Sequence, residues 1–372
     1  MKILLLTGKF GMGHFTAAQA LEQKIRPILE KKDELYLVDI FEHTYGDFAE
    51  LIYKSYRTFI HKGAPLYNMA YKKATQGFEN SAVLSKIYRS LQEAISRLLS
   101  SERPDLVIST YSVASMLVSD YKIETGASFV SVTAITDVSP HDSWVNKATD
   151  HYLVADEQSR EYLYLKQVPR EKITISGIPV TKKFEEYLFK RNRRSADPKE
   201  KRLLVMGGGL GLLPRSIAFY RELNDLKEVK TTVVTAKNES LFKKLRGRFE
   251  NIEVLGYRQD IFSMMRQADL LLTKAGGIST FEAICTRTPL IVFRPFLEQE
   301  TANAKLILQH RIGIVLEQGL ERADEAILSI ERLLKNNRER QHMRERMAQL
   351  SKEWDINAIV SLIQDQKMGR SA

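Results

Sequence analysis

The chain has 372 residues, 44% hydrophobic and 27% charged, the balance of a folded chain in water, which excludes a disordered or fibrous one. A formal net charge of +10 suits an anionic partner, whether membrane lipid, nucleic acid or a phosphorylated substrate, or else a solvated basic surface with no special partner. A single cysteine, Cys285, excludes an intrachain disulfide, and no apolar run reaches the ~20 residues of a membrane span.

The chain begins with a strand-like run, residues 3–7, too short for a secretory signal peptide. A cytoplasmic chain is therefore expected, with peripheral membrane contact allowed. The run enters the loop Gly8-Lys9-Phe10-Gly11-Met12-Gly13-His14, and a helical pattern follows over 15–29. The glycines lack both the P-loop ending and the dinucleotide fingerprint spacing. They do bring His14 to a helix start. An imidazole there titrates near neutrality and can take a proton from an incoming hydroxyl, or simply cap the helix.

A second strand is expected at 35–40, and residues 48–77 then interleave aromatic and basic side chains at helical spacing. Such a segment suits a membrane–water interface or a helix packed on its own domain. Single-stranded nucleic acid can also use stacked aromatics and bases, but no nucleic-acid motif accompanies them, and no nucleic-acid partner is expected. A helix over 82–100 and strands at 106–110, 129–136, 151–154 and 173–176 complete this half. The strand over 129–136 ends on Thr136-Asp137, where Asp137 can bind a hydroxyl, charge-stabilise His14, or cap a turn. His141 and Trp144 follow in the same loop and are candidates for shaping an acceptor pocket.

A charged, loop-like stretch over 190–202 divides the chain, and the pattern restarts with a strand at 202–206. It runs into Gly207-Gly208-Gly209-Leu210-Gly211, whose backbone N–H groups can hold a diphosphate. A helix over 216–225, a strand at 231–235, a helix over 239–249 and a strand at 252–255 come next. Tyr257 and Arg258 sit just beyond that last strand, as candidates to pack on a base.

The apolar run 270–273 leads into Lys274-Ala275-Gly276-Gly277-Ile278-Ser279-Thr280-Phe281-Glu282. Paired glycines allow close backbone approach. Ser279 and Thr280 can cap a helix over 280–286, whose start suits a phosphate. Glu282, one turn in, can accept from a ribose diol. After a strand at 290–293, Gln299, Glu300 and Asn303 offer donors and acceptors for sugar hydroxyls, with a capping box as the plain alternative. A charged helix is expected over 337–366. No zinc-type Cys/His cluster and no Asp-x-Asp pair at a strand end occurs, so neither metal nor cofactor is expected.

Strands alternating with helices argue parallel sheets covered on both faces. The expectation is α/β: two doubly wound Rossmann-like domains facing one another across a cleft, residues 1–185 and 198–344. The loops beyond the strand carboxyl ends carry the ligands of such sheets.

In this order the motifs resemble the GT-B glycosyltransferases of family 28, in the group of monogalactosyldiacylglycerol synthases and processive diacylglycerol glucosyltransferases. The resemblance rests on Gly11-Met12-Gly13-His14, Thr136-Asp137, Gly177-Ile178-Pro179-Val180, the glycines at 207–211, Thr273-Lys274-Ala275-Gly276-Gly277 and Gln299-Glu300-x-x-Asn303. It implies inverting, metal-independent transfer of a hexose from UDP-glucose or UDP-galactose to a lipid such as diacylglycerol, at the anionic inner face of the cell membrane. It implies acceptor binding by the first domain, with Gly13 on the acceptor side. His14 would be the base, with Asp137 beside it. The second domain would hold the UDP-sugar. The loops of Gly208, Gly209, Gly276, Gly277, Ser279 and Thr280 would hold the diphosphate, and Glu282 the ribose. Tyr257 and Arg258 would lie near the uracil, and Gln299, Glu300 and Asn303 at the sugar end. The last helix, residues 345–366, would cross back to the first domain. The loop after Asp137 departs from the group's pattern, and Ala275-Gly276-Gly277 stands where Pro-Gly-Gly is usual. A soluble or polyprenyl-linked acceptor, an epimerase, and a UDP-sugar-binding protein without turnover are the competing expectations.

Overall fold

The structure is a computed structural model that describes all residues except 11, 63–81, 191–198, 294, 296–297, 317–322 and 372, with backbone alone at 56–62, 82–84, 298–299 and 370–371. The chain divides into two compact units, Met1–Lys182 with Glu353–Ala372, and Lys183–Lys352.

The first unit is built on β1 (Lys2–Thr7), β2 (Glu34–Asp39), β3 (Leu106–Ser109), β4 (Val130–Ala134), β5 (His151–Val154) and β6 (Ile173–Ile175). They form one sheet in the order β2-β1-β3-β4-β5-β6, parallel at every pairing. Side chains alternate across the pleat, so β1 feeds two cores. Ile3 and Leu5 pack with Ala18, Leu21 and Ile25 of the helix Gly13–Ile25 and with Ile359 and Ile363 of the C-terminal helix Ala358–Ser371. Leu4 and Leu6 pack on the other face with Phe41, Tyr53, Leu91, Ile95, Val113 and Leu117. A sheet buried on both faces explains why its strands read as near-continuous apolar runs.

The helix expected over 15–29 ends at Ile25, and Pro27 takes the chain into a 3-10 turn, Arg26–Ile28. The helix Phe48–Lys62 buries Ala49 and Tyr53, and the Tyr53 hydroxyl donates to Asp39 at 2.6 Å. Phe48 and Leu51 on the same helix stay exposed. The rest of the aromatic and basic segment, from residue 63 on, lies outside the described residues.

The second unit is built on β7 (Lys201–Met206), β8 (Val229–Val234), β9 (Ile252–Leu255), β10 (Leu270–Thr273), β11 (Leu290–Val292) and β12 (Gly313–Val315), in the order β12-β11-β10-β7-β8-β9 and again all parallel. Read from the β9 edge and counted within the unit, that order is the third, second, first, fourth, fifth and sixth strand, the doubly wound Rossmann arrangement. β12 is absent from the strands expected above. It has three residues and opens on a glycine, too little for any periodicity to register.

The charged C-terminal segment is not the continuous helix expected over 337–366. One helix ends at Leu350, a 3-10 turn covers Ser351–Glu353, and a new helix starts at Ala358. The interruption has a tertiary cause. The Asp355 N–H donates to the Ile175 carbonyl at the end of β6, at 2.8 Å. Trp354 lies over Gly177, whose φ is +71° and where an added Cβ would meet the indole at 2.8 Å. Gly177→Ala therefore suffers twice. The left-handed backbone alone costs roughly 1–2 kcal/mol, and the indole clash adds to it. Urea unfolding should show a lowered midpoint, and Trp354→Ala in the same chain should return only the clash. An unchanged midpoint in Gly177→Ala would refute this account of the break.

Candidate active site

In both sheets the strand order reverses at one place, between β1 and β3 in the first and between β7 and β10 in the second. Crossovers leave such a point in opposite directions, so the loops at its carboxyl edge diverge and open a crevice. Most of the side chains described next lie on those loops or on the helices they begin.

In the first unit Leu6 is in register with Ser109, so the loop after β1 runs beside Thr110 and Tyr111. Met12 takes a left-handed φ of 67° and starts the helix Gly13–Ile25 without a side-chain cap. Gly13 is its first residue and His14 its second. The His14 Nδ1 lies 3.1 Å from the Thr110 carbonyl and 2.6 Å from the Thr136 Oγ1. A carbonyl can only accept, so Nδ1 carries the proton and Nε2 keeps its lone pair. The Thr110 hydroxyl donates to the His14 carbonyl at 3.0 Å and meets the Thr7 hydroxyl at 2.9 Å. The strand ends of β1, β3 and β4 thus hold one imidazole in one orientation.

Burial pushes the His14 imidazole below its ordinary pKa, while the Asp137 carboxylate and the Thr110 carbonyl pull it back up. Asp137 is not hydrogen-bonded to His14. Its Oδ2 accepts from the Trp144 indole at 2.8 Å and lies 3.7 Å from the His141 Nε2, so it acts on His14 through space. Burial also lowers the His141 imidazole, opposed by Asp137 and assisted by His14. Trp144 is fully buried among Ile135, Tyr152 and Val154. It braces the loop from within instead of lining an open pocket. Thr110 and Thr136 are the positioning residues that motif reading passed over. Their signal was present: a hydroxyl residue within two positions of the end of a buried strand, in both cases.

In the second unit Met206 is in register with Thr273, so the loops at Gly207 and Lys274 leave the sheet side by side. Gly207–Gly211 is a tight turn in which Gly211 N–H donates to Gly208 O at 2.9 Å and Leu212 N–H to Gly207 O at 3.0 Å. Gly211 has φ +63°, and a Cβ there would lie 1.9 Å from the Thr235 carbonyl. Only glycine fits. Gly209 has open space where a side chain would be. Asn238 ties this turn to the next loop, donating to Gly211 O at 3.0 Å and capping the helix Glu239–Leu245 through Leu241 N–H.

The helix after β10 starts earlier than expected, at Gly277, with Gly276 as its N-cap and no side-chain cap. Ser279 and Thr280 are buried inside the helix and do not cap it. Thr280 Oγ1 turns back to the Gly276 carbonyl at 2.8 Å. The first-turn N–H groups are therefore left for a ligand or solvent. The Lys274 ammonium lies 2.9 Å from Glu300 Oε1, and Asn303 Nδ2 donates to the Ala275 carbonyl at 2.8 Å. Both contacts to this loop come from one helix, Glu298–Gln309. Gln299 lies in that helix, and its side chain is outside the described residues. Tyr257 and Arg258 are exposed beyond the edge strand β9, two strands from β7, and no hydrogen bond or ring contact among the described residues joins them to the glycine loops. Lys274 drew no role from the sequence. A charge placed directly after a fully buried strand was the available signal.

Known proteins share this architecture. An Acinetobacter baumannii MurG crystal structure is 13% identical, with a TM-score of 0.63 over 98% of this chain and 99% of that one. The glycotransferase of kitacinnamycin is 14% identical, with a TM-score of 0.65 over 98% of each. The monogalactosyldiacylglycerol (MGDG) synthase family model matches residues 14–180, and the glycosyltransferase family 28 C-terminal domain model matches 202–359. Two doubly wound sheets, with candidate site residues at both reversals, and these matches define a glycosyltransferase of the GT-B fold. Within that class, the chain carries an MGDG synthase domain followed by a glycosyltransferase family 28 C-terminal domain. A "Processive diacylglycerol beta-glucosyltransferase" of Bacillus cereus is 27% identical over 376 positions, covering 97% of this chain and 93% of the relative.

Glu282 yields a test that needs no ligand. Burial raises its carboxyl from 4.5 to about 8. Between those values the folded chain holds a proton that the unfolded chain lacks, so stability falls as pH rises across the window. Glu282→Gln cannot titrate. Urea unfolding of the two proteins at several pH values should show the difference moving in the variant's favour from about pH 5 to about pH 8. Parallel pH profiles would sink this assignment.

Proposed function

We propose that the protein transfers a hexose, with inversion and without a metal ion, from UDP-glucose or UDP-galactose to the hydroxyl of a membrane lipid such as diacylglycerol. The observation that carries this reading is the imidazole of His14, with its proton held at Nδ1 by a carbonyl and its lone pair left on Nε2. Burial keeps that ring neutral near pH 7, the form a general base needs.

The acceptor O–H gives its proton to His14 Nε2 as the oxygen bonds to the sugar C1. The bond from C1 to the β-phosphate oxygen breaks, and UDP leaves with the electron pair. An α-linked sugar nucleotide attacked from the opposite face yields a β-glycoside, in keeping with the activity named for the Bacillus cereus relative. The imidazolium formed is stabilised by the Asp137 carboxylate. The turn at Gly208 and Gly209, and the uncapped start of the helix at Gly276 and Gly277, receive the diphosphate. Backbone dipoles aimed at a developing charge are among the largest catalytic effects available. Glu282 takes the ribose diol, Tyr257 and Arg258 the uracil, and Gln299, Glu300 and Asn303 the sugar hydroxyls. The domain of residues 1–185, with Gly13 beside the base, takes the acceptor, and residues 198–344 take the donor.

A lipid acceptor draws support from the net charge of +10 and from exposed Phe48 and Leu51 on the aromatic and basic segment. No helix among the described residues is long and apolar enough to cross a membrane. Peripheral attachment at the anionic inner face of the cell membrane follows as part of this reading.

Labelled UDP-glucose and UDP-galactose, each given with and without diacylglycerol vesicles, should yield lipid-bound sugar from at least one donor. Product with water-soluble acceptors alone would overturn the lipid assignment, and donor binding without any product would leave a binding protein. His14→Ala should lower transfer ~100-fold or more, as loss of a general base does, while UDP binding by calorimetry stays unchanged. Undiminished transfer would remove His14 from its role.

A further inference from the structure

Lys274 occupies a position that the glycine loops alone do not explain. It stands between β10 and the helix Gly277–Thr286, and its aliphatic stem crosses both loops. A Cβ placed on Gly208 would lie 3.0 Å from Lys274 Cε, and one on Gly276 would lie 3.5 Å from Cε and 3.9 Å from Nζ. The ammonium is thus stationed over the two turns at the reversal of the second sheet. It ends on Glu300 Oε1 at 2.9 Å, and the Glu300 side chain is only 6% exposed. A buried carboxylate needs a partner, and this one has Lys274.

Resting on the donor reading above, we infer that Lys274 binds the donor diphosphate and is held on Glu300 until the donor enters. Two anionic groups then compete for one ammonium. The diphosphate carries more charge than a carboxylate, and the uncapped helix start beside it adds attraction. When Lys274 turns to the phosphates, Glu300 gives up this cation. Sugar hydroxyls donate to the carboxylate in exchange, so the intact donor compensates the buried charge. UDP alone brings no sugar hydroxyl to take the place of Lys274 at Glu300. The same ion pair therefore favours UDP-hexose over UDP, and it helps the spent nucleotide to leave.

The signs of two substitutions differ, which makes the inference testable without turnover. Calorimetry would compare uridine, UDP and UDP-glucose on wild type, Lys274→Met, Lys274→Arg and Glu300→Gln, with thermal melts to verify folding. Loss of a charged hydrogen-bond donor predicts UDP affinity lower by roughly tenfold or more in Lys274→Met. Uridine affinity should not change, and Lys274→Arg should restore most of the UDP affinity. Glu300→Gln should bind UDP as tightly as wild type or more tightly, with a narrowed preference for UDP-glucose over UDP. Equal UDP binding by wild type and Lys274→Met would overturn the inference, as would a parallel loss of uridine, which marks collapse of the loops. Weaker UDP binding by Glu300→Gln would overturn the exchange. If wild type bound neither uridine nor UDP, the donor reading itself would fall, and the inference with it.

Discussion

The structure depends on one constraint, the pairing of two parallel strands at the point where strand order reverses. β1 with β3, and β7 with β10, start in register, and each pair is locked the same way. Asp105, just before β3, accepts from the Lys2 N–H at 2.6 Å and donates its own N–H to the Lys2 carbonyl at 2.8 Å. Asp269, just before β10, accepts from the Arg202 N–H at 2.9 Å and donates to the Arg202 carbonyl at 2.8 Å. A lock at the amino edge sets where both strands end. At the carboxyl edge it brings Thr110 to His14 and Lys274 to Gly208. A shift of one residue would turn each of these side chains to the other face.

The two reversals use the same geometry for different chemistry. In the first unit the loops supply carbonyls, hydroxyls and rings, and they fix the tautomer of an imidazole. In the second they supply open backbone N–H groups and a cation, which meets a buried acid from the helix Glu298–Gln309. The division suits a reaction that needs a neutral base for one partner and an electropositive cradle for the other. Desolvation acts on both sides. It lowers the His14 imidazole and raises the Glu282 carboxyl.

The strands were legible because both sheets are buried on both faces and read as apolar runs. β12 was not, since Gly313–Val315 is too short to have a period. The helix starts were misjudged where hydroxyl residues looked like caps. Ser279 and Thr280 sit inside a helix that begins on glycine, and local preference could not separate a cap from a first turn. The break at Trp354 was missed for a similar reason. Asp355 marks it locally by accepting from the Asn357 N–H, but the groups that hold it, Ile175 and Gly177, lie far away in the chain.

By itself the sequence determined the class of fold, the two glycine-rich turns and the identity of most candidate site residues, because these are written as local patterns of apolar runs, glycines and single chemical groups. Only the tertiary structure decided which groups meet. It paired His14 with Thr110 and Thr136 instead of Asp137, placed Trp144 in the core, and set Lys274 on Glu300. Those partners stand 26 to 122 residues apart. No local propensity spans such distances; strand register, set by side chains alternating across a doubly covered sheet, does.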